Sequence, residues 1–199
     1  VAGQIEIVNR ALFKLGALPL ASMGDNNKQA RIMSGLWDTV RKSELRRHLW
    51  SFALRRTALP ALNPSPAWGY RNAYALPADL LRVAQVNDLM LSPSETDYRT
   101  FDDSPYAIEG NTLLTDFPAP LKLRYVADIT DPGAFDALFV EALAAKLAYE
   151  ACEGLTQANE KKSAASQDYQ AAIKAAAMVT AIEKPPQGIA DDSWMTTRL

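Results

Sequence analysis

Apolar positions recur with helical spacing at both ends of the chain and fall into short, broken runs in its middle. Between residues 2 and 16, Ile5, Val8, Leu12 and Leu15 lie three or four apart, which predicts an amphipathic helix stopped by Gly16. Residues 18–27, with Pro19, Gly24 and Asp25-Asn26-Asn27, predict a connector. A second helix is expected from about Asn27 to His48, with Ala30, Met33, either Leu36 or Trp37, Val40 and Leu45 as its buried stripe.

The pattern changes after Trp50. Eight prolines (60, 64, 66, 77, 93, 105, 118 and 120) fall between residues 51 and 126, too many for helix and enough to keep strands short. Candidate strands occupy 52–59, 73–76, 80–86, 106–109, 111–115 and 121–126, with Glu109-Gly110-Asn111 as a tight hairpin turn. Trp68, Tyr70, Tyr74, Tyr98, Phe101, Tyr106, Phe117 and Tyr125 supply the aromatic content. The segment predicts a small antiparallel sheet with long proline-bounded loops.

Helical spacing returns beyond Asp128. Thr130 or Asp131 is placed to cap and Pro132 suits a first turn. Phe135, Leu138, Phe139, Ala142, Leu143, Leu147 and Ala148 give an apolar face to about Cys152, where Gly154 is expected to break or kink the helix. A fourth, alanine-rich helix is expected over about 157–183. The predicted fold class is α+β: a four-helix layer built from both chain ends (1–50 and 127–183), with a small antiparallel β subdomain (51–126) inserted between helices 2 and 3. Residues 184–199 lack periodicity, which fits either a disordered tail or a C-terminal arm that orders on a partner. Trp194 favours the arm, because aromatic anchors are common at interfaces.

Composition adds two constraints. Apolar content of 48% and charged content of 22% fit a soluble globular chain with a real core, and no apolar run approaches the roughly 18–20 residues of a membrane span. Residues 1–16 have neither a basic leader nor an apolar signal core, so no secretory signal is expected. The single Cys152 and single His48 can form neither an internal disulfide nor a Cys/His zinc site within one chain.

Charge is uneven. Arg41, Lys42, Arg46, Arg47, Arg55 and Arg56 face one acid, Glu44, within residues 41–56, which gives +5 in a chain of net −2. Three readings stay open: a solvated helix end whose cations favour the C-terminal dipole, a surface for an acidic protein partner, or a phosphate-backbone contact. Within this stretch Leu49, Trp50, Phe52 and Ala53 form an apolar knot, expected to be core where the two layers meet.

Candidate chemistry is sparse. Asp102-Asp103 and Asp191-Asp192 are adjacent acids whose side chains diverge in extended chain, a poor chelating geometry. His48 sits among arginines, which disfavour its charged form, and has no nucleophile partner in sequence. Glu141 and Glu150 lie roughly 13 Å apart along one helix at about 1.5 Å per residue, too far for a glycosidase pair. No phosphate-loop motif occurs. Catalytic residues, metal ligands and cofactors are therefore not assigned, and a non-enzymatic role is expected.

The order of features resembles the tail tubular protein A family of short-tailed phages, the gatekeeper or head-to-tail adaptor proteins. The resemblance is carried by Asn9, Leu12, Leu15 and Gly16; by Ala30, Leu36, Arg41 and Leu45 closing on Trp50, Phe52 and Ala53; by Trp68-Gly69-Tyr70 and the turn Tyr74-Ala75-Leu76-Pro77-Ala78-Asp79; by Arg124-Tyr125-Val126 before Asp131 and Phe135; and by Trp194 with Arg198. It implies a structural virion protein assembled in the host cytoplasm. A closed ring of roughly twelve copies would sit between portal and tail nozzle and line the DNA exit channel. DNA would pass through without sequence-specific binding, and no membrane is involved. Arg41, Arg46, Arg47, Arg55 and Arg56, together with Trp194 and Arg198 of the arm, become candidate portal contacts. Trp68 and Tyr70, with the loop from Tyr98 to Tyr106, become candidate nozzle contacts. A cell-wall glycan hydrolase and a nucleic-acid-binding module are the alternatives.

Overall fold

The fold is described from a computed structural model, covering residues 3–87, 89–90 and 105–182. Tyr98, Phe101, Asp102, Asp103, Asp191, Asp192, Trp194, Arg198 and the proposed arm 184–199 lie outside the described residues.

The protein is α+β, with helices α1 (Gln4–Leu15), α2 (Lys28–Arg47), α3 (Ala137–Thr156) and α4 (Asn159–Ile182). Strands β1 (Leu54–Leu59), β2 (Asn72–Ala75), β3 (Leu80–Val86), β4 (Leu89–Met90), β5 (Tyr106–Glu109), β6 (Thr112–Thr115) and β7 (Leu121–Ala127) lie between α2 and α3. The β segment divides into two antiparallel sheets, ordered β1-β7-β3-β4 and β2-β6-β5. The hairpin expected at Glu109-Gly110-Asn111 is present, joining β5 to β6.

Helix ends follow local chemistry. The Asn27 side chain accepts from the Ala30 N–H at 2.8 Å and starts α2. Gly16 ends α1 at φ +68°, a conformation a Cβ disfavours. Asn9 ties the following connector back onto α1: its amide accepts from the Leu20 N–H at 2.7 Å and donates to the Leu20 carbonyl at 2.9 Å.

α3 departs from expectation at both ends. Asp131 and Pro132 start only a 3-10 turn (Pro132–Ala134), and α3 begins five residues later, where the Asp136 carboxylate accepts from the Leu138 and Phe139 N–H groups. The helix then runs through Gly154 without a break. Glycine serves packing there: a Cβ on it would meet Ile32 Cδ1 of α2 at 3.0 Å. α3 is the central helix. Ten of its residues are buried, including Phe139, Leu143, Leu147 and Cys152, and α1, α2 and α4 all pack on it. On α4 the buried stripe is Ala165, Tyr169, Ile173 and Ala176.

One continuous core joins the helices to the sheets. Its pivot is the expected apolar knot. Trp50 is fully buried and stacks on Phe52 with ring centroids 6.3 Å apart; both rings meet Phe139 at 5.1 Å, and Phe135 completes the group. The Trp50 indole N–H donates to the Glu44 carbonyl at 2.8 Å, which satisfies its one polar atom. α2 packs on β3 and β7, and its last turn leads directly into this knot.

Candidate partner interface

The basic stretch 41–56 is not one patch. The fold sorts its cations into four environments. Arg41 is buried, at 2% exposure, on the core-facing side of α2. Its guanidinium bonds the Asp128 carboxylate and donates to the Ile129 carbonyl at 2.6 Å, with Asp38 at 3.3 Å. It pins α2 to the segment leading out of β7 and is not available to a partner, which corrects its assignment as a contact residue. Charge burial of this kind requires such pairing.

Arg46 and Arg47 point into a concavity of about 460 Å³ at the joint between α2, α3 and β3. The fold adds two cations there that lie far away in sequence, Arg82 of β3 and Lys146 of α3. Arg46 donates to the Leu81 carbonyl, and Arg82 donates to the Arg47 carbonyl at 3.3 Å, so α2 and β3 are cross-linked through each other's backbone. Arg47 donates to the Tyr169 hydroxyl at 2.6 Å and lies 5.6 Å from that ring's centroid. Lys146 lies 5.1 Å from the same ring and bonds Glu150 at 2.6 Å. Burial, and then the neighbouring charge of Arg46, pull Arg82 below the usual guanidinium range. Glu44 also lines the concavity, and its buried carboxylate accepts from the Tyr169 hydroxyl at 2.9 Å. Burial pushes Glu44 up, against the lowering effects of that bond and of Arg47 and Lys146; burial and Glu44 push the Tyr169 phenol up.

Arg55 belongs to a third environment. It bonds Asp79 at 2.7 Å, and the other carboxylate oxygen accepts from the Tyr125 hydroxyl at 3.0 Å. Asp79 ends the Tyr74–Asp79 turn, so this turn is fastened to both β1 and β7. Arg56 is exposed on the four-stranded sheet, directly opposite Arg124 of β7, with Lys122 two residues along. These three line a second concavity of about 500 Å³ with Gln85 and Asn87. Among the described residues no acid pairs with any of the three.

Trp68 is 87% exposed in the connector between β1 and β2, and Tyr70 is half-buried beside it. Leu62, at 42% exposure, lies in the same connector. On the helical layer, Phe13 and Leu18 at the end of α1 are 67% and 77% exposed, and Ile182 at the end of α4 is 79% exposed.

The remaining candidates have structural partners. His48 is the C-cap of α2 and meets Trp50 edge-on at 5.3 Å. Glu141 pairs with Arg10 and Glu150 with Lys146, so the two carboxylates weighed for glycan hydrolysis are each engaged by a cation. Among the described residues, no group of acids, His and Cys is placed to hold a metal ion, and no helix is long and apolar enough to cross a membrane.

Arg82 and Lys146 were missed from sequence because each is an isolated cation in an amphipathic element; only the tertiary fold brings them beside Arg46 and Arg47. No protein-family model matches the chain, and no curated protein matches its sequence significantly.

Proposed function

We propose that the protein is a structural assembly component, the ring-forming adaptor between a phage portal and its tail nozzle. The observation that carries this reading is the exposure of large apolar side chains on both layers: Trp68 and Leu62 on the β side, Phe13 and Leu18 on the helical side. Large exposed aromatic and aliphatic groups suit partner binding, and an adaptor must bind on two sides. The order of sequence features from Asn9 to Arg198 supports the same reading.

In this role the helical layer faces the portal and the β layer faces the nozzle. Arg46, Arg47 and Arg56 remain candidate contacts, with Trp68 and Tyr70 on the nozzle side and Trp194 and Arg198 in the arm. Sedimentation of the purified chain, alone and mixed with the portal protein encoded in the same genome, tests the proposal. A stoichiometric complex with the portal is expected. A chain that stays monomeric and unbound in both conditions overturns it.

A further inference from the structure

We infer that the concavity formed by Arg46, Arg47, Arg82 and Lys146 is a binding site for a phosphoryl group. The inference is independent of the adaptor reading. Three guanidinium groups open onto one depression, and their described acceptors are neutral: the Leu81 carbonyl, the Tyr169 hydroxyl and the Arg47 carbonyl. These bonds fix the geometry of the cations without supplying a counter-charge. Two acids offset part of that charge: Glu44 lines the depression and interacts with Arg47 and Lys146, and Glu150 bonds Lys146. Four cations against these two acids leave a surplus of positive charge at the concavity.

Geometry selects the ligand class. The cations arrive from three elements, the last turn of α2, strand β3 and the middle of α3. A carboxylate accepts hydrogen bonds essentially in one plane through two oxygens. A phosphoryl group presents three oxygens in a tetrahedral arrangement and accepts from several directions at once, with up to two negative charges. Arginine forks held by backbone carbonyls are pre-ordered for such an anion, so little side-chain entropy is lost on binding. Repulsion between Arg46 and Arg82 is relieved when an anion sits between them.

Calorimetric titration of the full chain with pyrophosphate, a short 5′-phosphorylated oligonucleotide and hexaglutamate tests the inference. Saturable binding of pyrophosphate is expected, weakening as salt rises. Arg82→Gln and Arg46→Gln are each expected to weaken it about tenfold or more, the value of one charge-assisted hydrogen bond. Arg31→Gln, an exposed cation at the opposite end of α2 that lines neither concavity, is expected to leave it unchanged. Arg46 is exposed, so its variant carries the test if Arg82→Gln fails to fold. Tighter binding of the oligonucleotide than of pyrophosphate places the phosphoryl group on a nucleic acid, and the reverse places it on a small molecule; either result supports the site. Absence of pyrophosphate and oligonucleotide binding overturns the inference. So does equal weakening by Arg31→Gln, which reports net charge alone, or tighter binding of hexaglutamate, which reports a carboxylate site.

Discussion

The Tyr169 hydroxyl donates to the Glu44 carboxylate at 2.9 Å, joining α4 to α2 beneath the arginine concavity. Arg47 donates to the same hydroxyl from above, so one phenol serves a buried acid and an exposed cation. The site is thereby tied to the helical core, and its chemistry can be tested through stability.

Removing the hydroxyl should be costly. Tyr169→Phe leaves the Glu44 carboxylate buried without its side-chain donor, and a loss of about 1–3 kcal/mol is expected. Urea unfolding measures it. A loss within experimental error shows that water replaces the phenol at no cost.

Glu44 also predicts a pH dependence. Burial raises its pKa, so the folded chain holds this proton more tightly than the unfolded chain does. Its stabilising contribution is full below the ordinary carboxyl pKa and is lost as pH rises through the folded value. Glu44→Gln removes that titration and should flatten the Tm profile in the interval just above the ordinary carboxyl range. An unaltered profile would sink this assignment.

Two tryptophans should behave oppositely. Trp50→Ala should cost about 3–5 kcal/mol, because a fully buried ring is removed from the joint between layers. Trp68→Ala should change stability by less than about 0.5 kcal/mol, as for an ordinary surface position, yet weaken binding to the nozzle protein. Thermal unfolding and a pull-down separate the two effects.

The sheet offers a test of charge. Arg56 and Arg124 face each other across β1 and β7, and like charges directly opposite are destabilising. Arg56→Glu converts the pair into an attractive one and should stabilise the chain by about 0.2–1 kcal/mol. Destabilisation would mean that the two guanidiniums do not repel.

The helices were legible because their apolar spacing is regular, and the hairpin at Gly110 because its turn chemistry is local. The Trp50 joint was legible because large aromatics stand where the periodicity changes. Gly154 misled because its role depends on Ile32, more than a hundred residues away. Asp131 misled because two capping aspartates compete within six residues, and the second one holds the longer helix. The burial of Arg41 has a sequence signal: it sits four residues after Trp37 and next to Val40, on the buried stripe of α2. Arg82 and Lys146 carried none, since their meeting depends on how β3 and α3 pack against α2.

Electron microscopy of the purified chain with the portal protein encoded in the same genome tests assembly most directly. The adaptor reading predicts closed rings stacked on one face of the portal, with an open channel through both. Portal particles that remain bare at saturating concentrations of the folded chain would contradict it.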